Sequence, residues 1–179
     1  MSAQGPVRAL PYAATKDDWE TPAELFDPLN AEHGFTLDAA ANGANRKVSR
    51  FLHGPCTRDE GFSCACGLCS SWAGERVWCN PPYGRGLIDW VRKFGKGEAE
   101  FAMLLLPANT DTAWFAELWK ASHEIIFLTG RVNFVGSRGG NTGGSLLAVR
   151  TSDRLTASDR MVTLMPWRGS NQGALLADE

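Results

Sequence analysis

Apolar residues along this chain recur with two periods that alternate. Leu25, Phe26 and Leu29 fall at helical spacing, as do Leu87, Ile88, Val91 and Phe94, and again Phe115, Leu118 and Trp119. Between these stretches lie short apolar runs that read as strands: Phe35-Thr36-Leu37, Val77-Trp78-Cys79, Phe101 to Leu106, Glu124 to Leu128 and Leu146 to Val149. The run from Phe101 is apolar throughout and halted by Pro107, the pattern of a central strand covered on both faces. Thr21 and Glu24 form a capping-box pair, with Pro22 at the first helical position and Gly34 at the exit, and Asp111 is placed to cap the third helix. Residues 42 to 76 are polar and punctuated by Gly and Cys, so they read mostly as loop, with Phe51-Leu52 a strand fragment and Trp72 a core anchor. No helical pattern separates the last two strands, which read as an antiparallel pair. After residue 150 the periodicity is lost.

Strand, helix, strand, helix, strand and an antiparallel finish predict a three-layer α/β domain with a mostly parallel sheet and an antiparallel final strand. Residues 1–18 read as an N-terminal extension, 19–151 as the domain, with a Cys-rich loop insertion at 53–71, and 152–179 as a C-terminal extension whose tail from Arg168 to Glu179 is expected to be disordered. Sheets of this kind bind ligands at the carboxyl ends of their strands, which is where Asp38, Asn80 and Pro107-Ala108-Asn109 fall.

At 179 residues the chain is one domain's worth. A chain of that size buries about 70% of its unfolded surface without staples. It has neither an apolar run of membrane-spanning length nor a signal-peptide pattern at its start, so a cytoplasmic protein without membrane association is expected. The formal charge of −2 argues against binding nucleic acid by bulk electrostatics and leaves local basic patches as the means. Arg46, Lys47 and Arg50 form one candidate, and Arg131 with Arg138 another; solvated surface charge is the plainer reading of each.

The chemistry concentrates in Asn80-Pro81-Pro82-Tyr83, delivered straight after a strand. An exocyclic amino group on a base is a poor nucleophile because its lone pair is delocalised into the ring. Two acceptors around the nitrogen, the Asn80 side-chain oxygen and the Pro81 carbonyl, can localise that pair toward a methyl donor. Paired prolines stiffen the loop, and Tyr83 offers a face for a base swung out of its helix. The bland alternative is a Pro-Pro loop whose Tyr packs on the core. Two companions weigh against it: the strand before it and the glycine-flanked helix start, Gly84-Arg85-Gly86, after it.

Trp19-Glu20-Thr21-Pro22 with Leu25-Phe26, Phe35 through Ala41, Val77 through Tyr83, Leu105-Leu106-Pro107 with Thr110-Asp111 and Trp114-Phe115, and Gly130-Arg131 with Phe134 together resemble the phage-encoded DNA N-6-adenine methyltransferases. The resemblance implies an S-adenosylmethionine-dependent methyltransferase (Rossmann-like) fold. It implies cofactor contacts from Thr21, Pro22, Asp38, Ala39 and Asn80, and catalysis by Asn80, Pro81, Pro82 and Tyr83. It further implies double-stranded DNA as partner, as in phage or restriction-modification systems; Arg131 then reads as a DNA phosphate or base contact, with bracing of the hairpin the equal alternative. For Asp38 the residue chemistry agrees, since a carboxylate at a strand end suits the cofactor's ammonium or ribose hydroxyls; helix capping is the other reading, and Thr21 has the same alternative. The Gly-x-Gly of many cofactor loops is absent.

Cys56, Cys64, Cys66 and Cys69, spaced Cys-x7-Cys-x-Cys-x2-Cys, stand apart from the resemblance. In a reducing compartment four neighbouring thiols read either as a zinc clip ordering a loop beside the DNA-binding face or as reduced surface cysteines. Cys79, on its core strand, reads as a small buried residue.

The expected function is S-adenosylmethionine-dependent methylation of adenine N6 in DNA with the target base flipped out. The rivals are the same fold acting on RNA or a protein glutamine, and a non-catalytic, zinc-dependent nucleic-acid-binding module.

Overall fold

A computed structural model describes residues 19–54, 66–136, 143–153, 156 and 160–166. The elements run α1 (Ala23–His33), β1 (Leu37–Asp38), β2 (Arg76–Cys79), α2 (Leu87–Gly95), β3 (Phe101–Pro107), α3 (Ala113–Ala121), β4 (Glu124–Thr129), β5 (Ser145–Thr151) and β6 (Met161–Pro166). All six strands join one sheet in the order β1-β2-β3-β5-β4-β6. Five run in parallel, and β5 runs against both its neighbours, β3 and β4. The α3 crossover from β3 to β4 leaves a gap one strand wide, and β5 returns to fill it.

Alternation along β3 explains the layers. Ala102, Leu104 and Leu106 point to the face covered by α2 and α3, where Leu87, Trp90, Val91, Phe94 and Leu118 are buried. Phe101, Met103 and Leu105 point to the other, against Leu25, Phe26 and Leu29 of α1. Each of the Leu, Met and Phe side chains among these contributes about 1.5–3 kcal/mol by leaving water, so the apolar run commits β3 to the centre. The expected three-layer, mostly parallel α/β fold is the one observed.

Several local expectations need correction. Pro22, not Thr21, stands at the cap of α1: its carbonyl accepts from Leu25 and Phe26, and no side-chain bond caps the helix. With the cap one residue later, Glu24 sits in the first turn one position short of the capping-box geometry. Thr112 rather than Asp111 caps α3, its Oγ1 accepting from the Phe115 N–H at 3.3 Å. Trp119 is 40% exposed; it lies about 100° around the helix from buried Leu118 and so points away from the sheet. β5 is not the last strand. β6 lies past the residue at which periodicity is lost and pairs in parallel with β4 along its whole length. Its edge position leaves Met161, Val162 and Leu164 exposed, so it carries no clean burial pattern. The tail beyond residue 166 lies outside the described residues. No helix among the described residues is long and apolar enough to cross a membrane.

Candidate active site

Because β1, β2 and β3 are parallel neighbours, their carboxyl ends share one edge of the sheet. Asp38 closes β1, Asn80 follows β2, and Pro107 closes β3 ahead of Ala108-Asn109. A cleft at this edge is lined by Trp19, Thr21, Asp38, Ala40, Lys47 and Asn80, among others. Two of the sequence-predicted cofactor residues, Thr21 and Asp38, thus line one cleft with the first residue of the expected catalytic loop.

The Asp38 side chain is almost fully buried, at 3% exposure. Its Oδ2 accepts from the Lys47 main-chain N–H at 3.0 Å and its Oδ1 from that of Ala40 at 3.4 Å. These bonds and the Lys47 charge favour the carboxylate, yet burial outweighs them and lifts the pKa from 3.8 to about 6. The Lys47 ammonium is turned to Glu20 instead, at 2.7 Å. A buried carboxylate whose nearest cation is committed elsewhere suits hydroxyl or ammonium donors from a ligand.

Asn80 is held from an unexpected direction. Its Nδ2 donates to the Trp19 carbonyl at 3.1 Å, which leaves Oδ1 as the end of the amide able to accept from a substrate. Trp19 stacks on Phe134, with ring centroids 5.7 Å apart and planes inclined by 21°. Glu20 and Val135 exchange main-chain bonds of 3.3 and 2.9 Å. Pro81 is buried and Pro82 half-buried. Tyr83 is half-buried between the two cores, its hydroxyl donating to the Leu105 carbonyl at 3.3 Å and its ring edge-on to Phe134. Burial holds the phenol well above its ordinary pKa, so the hydroxyl is a fixed donor and the ring a pinned surface.

The remaining predicted residues are placed as follows. Pro22 is the helix cap, and Ala39 is buried in the core with its N–H on the Trp78 carbonyl, so its side chain does not reach the cleft. Arg131 is exposed in the segment that follows β4, whose carboxyl end shares the edge with Asn80. The basic cluster is largely engaged within the protein: Arg46 lies over the Phe51 ring, Lys47 pairs with Glu20, and Arg50 pairs with Glu75. Phe51 does form the expected strand fragment, bridging in parallel to Asp38.

Of the four clustered cysteines, Cys56 and Cys64 lie outside the described residues. Cys66 is buried, Cys69 is exposed, and the Cys69 N–H donates to the Cys66 sulfur at 3.4 Å. Among the described residues no group of three His, Cys, Asp or Glu side chains is placed to hold a metal ion. Cys79 is buried as expected.

Sequence reasoning assigned no role to four participants: the Trp19 carbonyl, the Glu20–Lys47 pair, Phe134 and Gly67. A Cβ on Gly67 would lie 1.9 Å from the Ala39 carbonyl oxygen and 2.7 Å from the Trp90 ring. The end of the Cys-rich loop therefore packs directly beneath the strand that carries Asp38. Trp19 and Phe134 belonged to the family-like segments, but no local signal says that they touch.

Comparison with known proteins identifies relatives of the chain. The family described as DNA N-6-adenine-methyltransferase (Dam) matches residues 10–154. A protein named DNA N-6-adenine-methyltransferase from Escherichia phage T1 is 33% identical over 119 residues, covering 64% of this chain. The aligned part is 46% of the phage protein, so the chain spans about half the length of that relative.

Proposed function

The chain belongs to the DNA N-6-adenine-methyltransferase (Dam) family, and from that premise we propose that it transfers a methyl group from S-adenosylmethionine to N6 of an adenine flipped out of double-stranded DNA. The observation that carries the reading is the anchored Asn80 amide, its Nδ2 tied to the Trp19 carbonyl, at a cleft that also holds the buried Asp38 carboxylate.

The donor set fits the cofactor. Asp38 accepts from its ribose hydroxyls or ammonium, and Thr21 lines the same cleft. When bound, S-adenosylmethionine supplies an electrophilic methyl group whose carbon–sulfur bond breaks to leave a neutral thioether. The protein's part is positioning and polarisation. Asn80 Oδ1 and the Pro81 carbonyl accept hydrogen bonds from the adenine amino group, which withdraws its lone pair from the ring and aims it into the cleft. Tyr83 presents its ring to the flipped base, and its bond to Leu105 keeps that surface in place. The proton lost by the amine passes to water. Arg131, on the same edge, is assigned to the DNA backbone.

The name of the phage relative supports DNA as acceptor, and neither RNA, protein glutamine nor a non-catalytic module gains support from it. Zinc enters no step. A clip through Cys56, Cys64, Cys66 and Cys69 is a separate proposal, sustained by about one zinc per purified chain that Cys66→Ser removes, and ended by metal-free active protein.

The function is tested with labelled cofactor and separate duplex DNA, RNA and protein acceptors, followed by nuclease digestion. Label should appear in duplex DNA as N6-methyladenine, and Asn80→Ala should slow transfer by about 10²–10³-fold, the scale for removing one preorganised polar contact to a reacting group. Full-rate labelling by folded Asn80→Ala would end the proposal.

A further inference from the structure

We infer that residues 19–20 and 134–135 form a brace that sets the direction of the Asn80 carboxamide, making Trp19 and Phe134 positioning residues for methyl transfer. The inference rests on Asn80 being the residue that receives the acceptor amine. The terminal torsion of an Asn side chain is broad and nearly two-fold, so nothing in its own loop decides whether oxygen or nitrogen faces the cleft. A carbonyl beside it does decide, because only the NH₂ end can donate. Here that carbonyl belongs to Trp19, 3.1 Å from Nδ2.

The carbonyl is only as steady as residue 19, and two contacts hold it. The Trp19 ring lies on Phe134, and the next residue, Glu20, exchanges both main-chain bonds with Val135. Phe134 is buried to 3% exposure and also meets the Tyr83 ring edge-on, with centroids 6.2 Å apart and planes at 79°. One aromatic side chain beyond β4 thus steadies both the residue that holds Asn80 and the ring expected to receive the base. The same segment reaches the cofactor side. Glu20 takes the Lys47 ammonium at 2.7 Å, and the Lys47 main-chain N–H binds Asp38 at 3.0 Å. The Lys47 bond to Asp38 is made by the main chain, apart from the ammonium that Glu20 holds, so the brace proper runs from Phe134-Val135 through Trp19-Glu20 to the Asn80 amide.

A packing role alone would lower stability and leave the chemistry of the folded fraction intact. The test separates the two with single-turnover methyl transfer to duplex DNA, calorimetric binding of S-adenosylmethionine, and thermal denaturation of each variant. Phe134→Leu removes the stack. Val135→Pro removes the N–H that donates to the Glu20 carbonyl, at a side chain that is 52% exposed and so packs little, and it carries the test alone if Phe134→Leu does not fold. Each is expected to slow transfer by about tenfold or more, while cofactor affinity stays within about twofold, because misplacing one polar contact costs rate rather than ground-state binding. Phe134→Tyr, which keeps the ring, should restore the rate to within about threefold of wild type. A smaller slowing in folded variants, or a slowing matched by equal loss of cofactor affinity, overturns the brace. Asn80→Ala measured alongside separates the two claims. If it is slow and the brace variants are fast, only the brace fails; if it is fast, the assignment of Asn80 fails first.

Discussion

Asp38→Asn should make the empty protein more stable and the enzyme worse. Burial holds this carboxyl at about 6, against an ordinary 3.8. Keeping it ionised in the folded state at neutral pH therefore costs about 3 kcal/mol. The sign follows from the raised value. Well below pH 3.8 the group is protonated whether the chain is folded or not, and no penalty exists. As pH rises through the interval from 3.8 to about 6 the unfolded chain releases its proton first, stability falls, and above that interval the loss is constant. Asparagine carries no charge to desolvate, but its NH₂ end must face the main-chain N–H of either Lys47 or Ala40, each of which donates to the carboxylate in the native protein. That mismatch returns about 1–2 kcal/mol. The expectation is a variant about 1–2 kcal/mol more stable than wild type at pH 8, with the advantage vanishing or reversing at pH 4. Urea denaturation of both proteins from pH 4 to 8, with m-values checked for equality, reads the difference directly, and other titrating groups cancel. With S-adenosylmethionine at about 100 times its Kd, wild type should gain about 2.7 kcal/mol, most of which Asp38→Asn should forfeit. A stability difference that is flat with pH would refute the account of Asp38 as a buried charge kept for a ligand. Undiminished cofactor stabilisation of the variant would refute its role in the cleft.

Gly67→Ala should lower stability by about 2 kcal/mol or more, because its Cβ would fall 1.9 Å from a backbone oxygen that cannot swing aside, and thermal denaturation checks it. Thr112→Ala should cost about 1 kcal/mol as the loss of an N-cap while Asp111→Ala costs a few tenths at most, a contrast that chemical denaturation resolves. Tyr83→Phe loses one hydrogen bond to Leu105 and keeps the ring, so methyl transfer should stay within about threefold of wild type. Tyr83→Ala removes the surface for the base and should reduce transfer by about tenfold or more in the same labelled-DNA assay; equal rates for the two variants would contradict a stacking role.

What the sequence determined by itself was whatever local periodicity and local chemistry encode. The unbroken apolar run from Phe101 to Leu106 required a strand with two buried faces, and the parallel order of strand and helix then required that Asp38 and Asn80 share an edge. Asn80-Pro81-Pro82-Tyr83 suggested a chemistry because amide, prolines and ring are adjacent in the chain. The tertiary structure decided everything that depends on partners far along the chain. Asn80 and the carbonyl that orients it are 61 residues apart, and no spacing rule links them. Arg46, Lys47 and Arg50 read as a basic face until the fold brings Phe51, Glu20 and Glu75 to them. β6 is half-exposed at an edge, so its side chains carry no strong burial pattern, and its place comes from main-chain pairing with β4, which any sequence of strand formers satisfies. Side-chain pattern records which face is buried, whereas hydrogen bonds between distant backbone groups leave almost no trace in residue identity. The cleft was therefore legible in outline, and the brace that orients its central amide was not.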